Sequence, residues 1–344
     1  MRDVLVEAEI VIGIESLAAD ELRRIPQIRP LQRDDIRTGA IRFRVTEDLR
    51  PLMKLNLCQA IYQVLRFEAP RPKALLGDQN FRRLTSAILT VMSLHPQGTF
   101  LTLGIDAAGS DSSVMIRLKN ELSLAVGLKP VESERGDMLI RILPSEGGWD
   151  CLIRITPRPL ATRAWRRRNY PAALNATVAH AMALLTKPSQ QDVYVNLCAG
   201  SGGLLIERAA AQASAALIGI EKDESVIRLA AENMKTLSAQ THASLVVADA
   251  GYSPLVTGCA SAIVADLPFG HRSGSHSENA ALYPRILSEA ARLARKDALC
   301  ILLTHEIQLM TSTLRAQSHW KPENIYPIVL RGLHPRIYVL KRAL

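Results

Sequence analysis

The chain has 344 residues, a formal net charge of +9 and an apolar share of 48%. This length fits two or three domains, and the composition is ordinary for a globular protein. No apolar run approaches the roughly 20 residues of a membrane span, and acids stand early where a secretory signal needs apolar residues. We therefore expect a cytoplasmic protein that is monomeric and has no membrane partner.

Hydrophobic periodicity in the first half predicts alternating strands and helices. The predicted strands are 4–12, 40–45, 99–105, 139–143 and 149–155. The predicted helices are 15–24, 48–67, 80–94 and 114–126. Pro70 and Pro72 break the pattern, because neither proline fits inside a helix. We expect two small α+β domains here, at 1–70 and 71–156, and neither contains an obvious catalytic cluster.

A basic segment follows at 157–175 and reads as a linker. Residues 1–155 carry 21 basic and 20 acidic residues, whereas 156–175 carry five arginines and no acid. Guanidinium groups mixed with aromatic rings suit phosphate contact and base stacking, so we expect this segment to bind RNA. A solvated linker is the alternative. The candidate RNA-binding residues are Arg158, Arg163, Trp165, Arg166, Arg167 and Arg168.

The last region, 176–344, alternates regularly. Predicted strands at 193–197, 217–221, 245–248, 262–266 and 299–304 are mostly separated by helices at 204–211, 224–234, 282–293 and 306–316. Alternation of this kind predicts a doubly wound, mostly parallel, Rossmann-like sheet. Two final strands, 325–330 and 337–340, bring the number to seven. Their connection is too short for a parallel crossover, so they must be antiparallel.

The first strand of this sheet leads into Asn196-Leu197-Cys198-Ala199-Gly200-Ser201-Gly202-Gly203, which opens a helix. Glycines let a ligand approach the backbone, and a helix start offers free N–H groups. Glu221 ends the next strand, where a carboxylate can bind ribose hydroxyls, and Asp249 ends the third, where a carboxylate can bind the adenine amino group. The candidate cofactor-binding residues are Asn196, Cys198, Gly200, Gly202, Glu221 and Asp249. S-adenosylmethionine and NAD(P) both fit, although Leu205 breaks the dehydrogenase pattern; a tight turn without ligand is the alternative. For Asp249 the alternative is a helix or turn cap.

Asp266-Leu267-Pro268-Phe269 stands at the carboxyl end of the fourth strand, where open α/β sheets bind ligands. An exocyclic amine on a base is a poor nucleophile, because its lone pair is delocalised into the ring. The Asp266 carboxylate and the Leu267 carbonyl can each accept one N–H and direct that lone pair outward. Pro268 brings no competing N–H, and Phe269 offers a face for stacking. We take these four as the candidate catalytic residues. The alternative is a purely structural role, in which the Asp caps the following segment and the Phe is buried.

Together, 196–203 and 266–270 resemble class I methyltransferases that act on amino groups. The longer run 266–279, with Leu282-Tyr283-Pro284, is similar to THUMP-domain RNA methyltransferases, in particular the tRNA guanine-N2 enzymes acting at position 6 of the acceptor stem. Residues 158–160 and 171–174 resemble that family's junction into the catalytic domain. The resemblance implies a ferredoxin-like domain at 1–70, a THUMP domain at 71–156 and a methyltransferase domain at 176–344. It also implies S-adenosylmethionine as cofactor and tRNA as partner, with the THUMP domain holding the tRNA 3′ end.

Two positions depart from that family. Asn196 stands where Asp is usual, and Gly203 where Thr is usual. We expect weaker donor binding from both, because Asn196 has no charge to attract the sulfonium and Gly203 has no hydroxyl. His271, Arg272, Ser275 and His276 follow the motif and either cover the substrate or are ordinary surface residues, while His305 and His334 read as structural. Three alternatives stay open: an rRNA guanine or adenine-N6 target, a non-catalytic RNA-binding protein with a decayed site, and an NAD(P) dehydrogenase. The scattered cysteines and histidines predict no metal site.

Overall fold

The computed structural model describes residues 3–46, 48–132, 136–268 and 276–343. The chain divides into two compact units, one holding Met1–Ile10 and Glu15–Ala161 and the other Val11–Ile14 and Thr162–Leu344. Within the part of the chain that the structure describes, none of the helices combines the length and the apolar character that crossing a bilayer requires.

The first unit is built on one eight-stranded sheet in the order β2-β3-β1-β4-β8-β7-β5-β6. Its strands are β1 (Val4–Ile10), β2 (Ile36–Arg37), β3 (Ala40–Val45), β4 (Cys58–Phe67), β5 (Thr102–Ala107), β6 (Lys129–Pro130), β7 (Met138–Ser145) and β8 (Gly148–Arg154). Its helices are α1 (Glu15–Leu22), α2 (Asp78–Ser93) and α3 (Ser113–Val126). Buried apolar residues of α2 and α3 share one core cluster with residues of β5, β7 and β8.

The predicted helix at 48–67 is wrong. Its first part is a short 3₁₀ turn, Arg50–Lys54, and its second part is β4. β4 lies between β1 and β8 and is antiparallel to both. Apolar side chains such as Ile61, Tyr62 and Val64 are buried in succession along it. Burial on both faces of a central strand hides the two-residue period that would have indicated a strand.

The regions 1–70 and 71–156 contribute to the same sheet, because β4 of the first pairs with β8 of the second. Their identification as a ferredoxin-like domain and a THUMP domain stays a prediction.

The second unit contains a seven-stranded sheet in the order β11-β10-β9-β12-β13-β15-β14. Its strands are β9 (Val193–Asn196), β10 (Ala216–Glu221), β11 (Ala243–Val247), β12 (Ala260–Asp266), β13 (Ala294–Thr304), β14 (Trp320–Pro327) and β15 (Arg336–Arg342). Its helices are α4 (Ala176–Leu185), α5 (Gly203–Ala211), α6 (Glu224–Met234), α7 (His276–Leu293) and α8 (Ile307–Arg315). The predicted α/β class and the doubly wound, mostly parallel sheet are confirmed.

The strand order places the candidate site at one edge of this sheet. β9 is parallel to both β10 and β12, so the segments that follow these three strands emerge together at their carboxyl ends. The order reverses beside β9, which is where such sheets bind ligands. β14 and β15 are antiparallel, as predicted, although β14 begins at Trp320, five residues before the predicted strand.

Candidate functional site

The loop of residues 196–203, hereafter the glycine loop, connects β9 to α5 and depends on its glycines. Gly200 and Gly202 have φ values of +51° and +85°, a region that residues with a side chain rarely adopt. An added Cβ at Gly202 would lie 3.3 Å from the Cβ of Ala230 on α6. The loop therefore packs its backbone directly against the next helix.

Glu221, at the end of β10, holds the glycine loop from the side. One carboxylate oxygen accepts the N–H of Gly200 at 3.0 Å, and the other accepts the N–H of Asp223 at 3.2 Å. Asp223 in turn caps α6 by accepting the N–H of Ser225 at 2.8 Å. The carboxylate of Glu221 thus contacts the glycine loop directly.

Asn196 and Cys198 lie at the start of the loop. The Asn196 side chain is fully buried; its Oδ1 accepts the N–H of Cys198 at 3.2 Å, whereas its Nδ2 has no hydrogen-bond partner among the described residues. Burial, followed by the nearby carboxylates of Glu221 and Asp266, raises the pKa of the Cys198 thiol. Cys198 therefore stays a neutral thiol among carboxylates.

Asp249 follows β11 and is tied to its own loop. Its Oδ1 accepts the N–H of Gly251 at 2.7 Å, and its Oδ2 lies 3.9 Å from a terminal nitrogen of Arg285. The Arg285 guanidinium also lies 5.4 Å from the centre of the exposed Tyr252 ring. Sequence analysis did not single out Arg285 or Tyr252, although Pro284 and Asp249 lie close to them in the sequence.

Asp266 ends β12, in the strand next to β9, with Val264 directly opposite Asn196 in the register. One of its carboxylate oxygens is buried and has no hydrogen-bond partner among the described residues. Burial raises the pKa of Asp266 to about 7. An unpaired carboxylate that titrates near neutral pH is typical of a reactive group.

Two backbone bonds fix the rest of the motif. The N–H of Leu267 donates to the carbonyl of Leu303 at 2.9 Å, and the carbonyl of Pro268 accepts the hydroxyl of Tyr283 at 2.8 Å. Phe269, His271, Arg272 and Ser275 lie outside the described residues, as does the side chain of His276. The structure therefore brings together the predicted residues around Asn196, Glu221 and Asp266, and says nothing about Phe269.

The residues 163–168, hereafter the arginine segment, have divided roles. Arg163 and Trp165 point inward: Arg163 Nε lies 2.9 Å and Trp165 Nε1 2.8 Å from the same carboxylate oxygen of Glu207 on α5. Arg166 stacks on Trp165 at 5.0 Å and donates to the carbonyl of Leu174.

The other basic residues of the linker are open to solvent. Arg158, Arg167 and Arg168 are exposed. The backbone N–H of Arg168 is nevertheless held, because it donates to the side chain of Asn233 on α6 at 2.9 Å. Sequence reasoning missed Glu207 and Asn233, although a glutamate inside the apolar run Leu204-Leu205-Ile206-Glu207 was a visible signal.

Comparisons with known proteins agree on the kind of protein. The family model UPF0020, described as an RMKL-like methyltransferase domain, matches residues 163–335. The chain is 30% identical over 201 residues to tRNA (guanine(6)-N(2))-methyltransferase THUMP3 of Mus musculus, covering 54% of this chain and 40% of that protein. It is 21% identical over 218 residues to tRNA (guanine(6)-N2)-methyltransferase of Methanocaldococcus jannaschii, covering 53% and 57%. The chain thus matches less than half the length of the mouse relative.

Solved structures resemble the whole chain. TrmN from Thermus thermophilus superposes with a TM-score of 0.76 at 21% identity, covering 99% of this chain and 100% of that one. SMU.472, a methyltransferase in complex with SAH, superposes with a TM-score of 0.68 at 16% identity and 98% coverage of both. At such identities the likeness establishes a shared fold.

Proposed function

The chain belongs to the UPF0020 family of RMKL-like methyltransferase domains, and we propose that it transfers a methyl group from S-adenosylmethionine to the exocyclic N2 amine of a guanosine in tRNA. The relatives named for guanine(6)-N2 methylation support this target. We place the target guanosine in the acceptor stem. A paired base hides its amine, so the enzyme would flip the guanosine out of the stem.

One observation carries the proposal: Asp266, a carboxylate with one buried oxygen that has no partner among the described residues, stands at the end of the strand adjacent to the one that leads into the glycine loop. The amine acceptor and the donor-binding loop thus leave neighbouring strands at the same edge. Holding two reactants in contact geometry supplies about 7–11 kcal/mol of a transfer barrier. Positioning of this kind is the main demand of methyl transfer to a weakly nucleophilic amine.

The residues around the glycine loop fit S-adenosylmethionine. Gly200 and Gly202 open the backbone to a ligand, the Asn196 Nδ2 is a buried donor with no protein partner among the described residues, and Cys198 offers a neutral contact. Glu221 would hold the ribose hydroxyls and Asp249 the adenine amino group. When bound, S-adenosylmethionine supplies an electrophilic methyl group.

The motif would prepare the amine. The Asp266 carboxylate accepts one N–H, and the Leu267 carbonyl accepts the other, because the neighbouring Pro268 carbonyl is already engaged by Tyr283. Phe269 would stack on the base. With the donor bound, the nitrogen lone pair would take up its methyl group, and the electron pair of the methyl–sulfur bond would remain on the donor sulfur. The amine proton then leaves to Asp266, whose pKa of about 7 suits it to receive that proton.

RNA would reach this site along the basic linker. Arg158, Arg167 and Arg168 are exposed and suit contact with phosphates. Residues 71–156, which we assign to a THUMP domain, would hold the tRNA 3′ end. The same site in an enzyme acting on rRNA guanine or adenine N6 is the second candidate; Asp at 266, rather than Asn, favours guanine.

Two measurements test the proposal. Calorimetry first asks whether the protein binds S-adenosylhomocysteine; absence of binding would refute the methyltransferase assignment. Labelled S-adenosylmethionine is then incubated with unmodified total tRNA and with rRNA, and the nucleosides are identified by mass spectrometry. We expect N2-methylguanosine in tRNA, and none from the Asp266→Ala variant. Product confined to rRNA, or N6-methyladenosine, would support the second candidate.

A further inference from the structure

The arginine segment is held against the glycine loop by direct side-chain contacts. The ring of Trp165 lies over the start of α5, where an added Cβ at Gly203 would be 3.5 Å from Cη2 of Trp165. This is an ordinary van der Waals distance, so the indole packs directly on the first turn of α5.

Glu207 fastens the first half of the segment. Its carboxylate is 1% exposed and accepts from Arg163 and Trp165 on one oxygen and faces His180 Nδ1 at 3.0 Å on the other. Burial alone would raise the pKa of Glu207, but the bonds from His180 and Arg163 outweigh burial and lower it. Glu207 therefore stays an anion and keeps all three partners in place.

Asn233 fastens the second half, and it also holds the glycine loop. Its buried side chain accepts the N–H of Arg168 at 2.9 Å and donates to the carbonyl of Ser201 at 3.0 Å. One amide thus bridges the arginine segment and the loop, and the position of each depends on the other.

These contacts determine which arginine side chains are exposed for binding a polyanion such as RNA. Arg163 is paired with Glu207 and its side chain is only 10% exposed. Arg166 is turned back over Trp165 and onto the carbonyl of Leu174. Arg167 and Arg168 keep exposed side chains on a backbone that is held next to the glycine loop.

We propose that Arg167 and Arg168 are phosphate contacts for the RNA substrate, and that Glu207 and Asn233 are positioning residues that hold these two arginines beside the methyl-donor loop. This inference rests on the proposed function, because it takes the substrate to be RNA. Within the arginine segment, it separates two exposed arginines that contact phosphate from the inward-facing residues that hold them in place.

The first test measures tRNA binding across a salt series for the wild type and for the Arg167→Ala/Arg168→Ala variant. We expect tRNA affinity to fall about 10-fold or more and the slope of log affinity against log salt to fall by about two, one for each lost contact. Affinity for S-adenosylhomocysteine should stay within about twofold. The control is Arg228→Ala, which removes an exposed arginine of α6 paired with Glu224 and should change neither affinity.

The second test combines Asn233→Ala with the arginine pair in a double-mutant cycle. If Asn233 acts through these arginines, removing them costs less tRNA affinity in the Asn233→Ala background than in the wild type. Purely structural damage would leave the two effects additive. If Asn233→Ala does not fold, Asn233→Leu replaces it, because leucine refills the buried volume and still removes the bonds to Arg168 and Ser201. Glu207→Gln, which keeps one acceptor oxygen for Arg163 and Trp165, should lose less tRNA affinity than Glu207→Ala.

The outcomes are distinguishable. A wild type that binds S-adenosylhomocysteine but not tRNA overturns the proposed RNA substrate and this inference with it. A wild type that binds tRNA, with an unchanged affinity and salt slope in the Arg167→Ala/Arg168→Ala variant, overturns only this inference. Additive effects in the cycle overturn the positioning role of Asn233 and leave the phosphate contacts standing.

Discussion

The hydroxyl of Tyr283 donates to the carbonyl of Pro268 at 2.8 Å and lies 2.7 Å from Oγ1 of Thr304. Because the Tyr283 proton goes to Pro268, the Thr304 hydroxyl donates to Tyr283, and Thr304 Oγ1 accepts the N–H of Glu306 at 2.9 Å. This chain of bonds runs from the start of α8 through α7 to the Asp-Leu-Pro-Phe motif. The helix packed on the sheet therefore fixes the backbone that would receive the target base.

Replacing Tyr283 by Phe removes the hydroxyl and leaves the ring in the core. We expect kcat to fall about 10-fold, because the motif backbone loses one of its fixed points, with a loss of stability of about 1–2 kcal/mol. Steady-state kinetics and thermal unfolding measure both quantities. Tyr62→Phe, which removes another buried hydroxyl in the other unit, is the control. Equal kcat in the Tyr283→Phe variant and the wild type would show that the bond to Pro268 does not matter for turnover.

Asp266 predicts a distinctive pH dependence. The ionised carboxylate accepts an N–H more strongly than the protonated acid and can also take up the amine proton. Because burial raises the pKa of Asp266 to about 7, kcat/KM should rise with pH and level off above about 7. The measurement is a pH profile of kcat/KM between pH 5.5 and 9. A profile that is flat across pH 7 would contradict the assignment of Asp266 as the amine acceptor.

The raised pKa of Asp266 also predicts how stability depends on pH. Stability should fall as the pH rises, whereas kcat/KM should increase. The Asp266 pKa is higher in the folded protein than the ordinary value of 3.8, so its contribution to stability is full below about pH 4 and is lost as the pH rises to about 7. Asp266→Asn should therefore melt higher than the wild type by about 2 °C or more at pH 8, with a smaller difference at pH 5. A variant less stable than the wild type at pH 8 would refute the unpaired carboxylate.

The parts of the fold and of the candidate site that could be predicted are those marked by a short, local sequence pattern. The glycine loop, Glu221 and Asp266 were predictable because each stands at the end of a strand with a clear apolar run. The strand β4 was mistaken for helix because burial on both faces removed its periodicity. Local patterns carry the fold of the second unit and fail where neighbouring strands supply the environment.

The arginine segment shows a second limit. Composition identified it as basic, but could not tell which arginines face inward, because their acidic partner, Glu207, lies 44 residues further along the chain. The same holds for Asn233, 65 residues from Arg168. Long-range pairing of this kind is set by tertiary packing.

The two left-handed glycines of the glycine loop should differ in their tolerance of alanine. Both Gly200→Ala and Gly202→Ala meet backbone strain of about 1–2 kcal/mol, but only at Gly202 does the new methyl group approach Ala230 at 3.3 Å, whereas at Gly200 nothing lies within 4 Å. We expect the dissociation constant for S-adenosylhomocysteine to rise in both and more in Gly202→Ala. Calorimetry on the two variants decides; a weaker donor affinity in Gly200→Ala than in Gly202→Ala would contradict the packing described.

A buried ion pair stabilises the opposite end of the sheet. Arg208 is fully buried and bonds the Asp192 carboxylate at 2.8 Å and the carbonyl of Ser189 at 2.9 Å. Arg208→Met leaves Asp192 without its cation, and the free energy of unfolding should fall by about 3–5 kcal/mol. Arg228→Met, at an exposed pair, should cost under about 1 kcal/mol. Denaturant unfolding of both variants measures these values, and similar losses in the two would argue against a special role for Arg208.

Under the proposed function, the motif at Asp266 directs the methyl group to the exocyclic 2-amino group of a guanine in tRNA. The most direct measurement uses two tRNA transcripts that differ at one position, the methylated guanosine or inosine, which lacks only that amino group. We predict methyl incorporation into the guanosine transcript, recovered as N2-methylguanosine, and none into the inosine transcript. Equal incorporation into both transcripts would contradict the claim, because the methyl group would then be attached to some other atom.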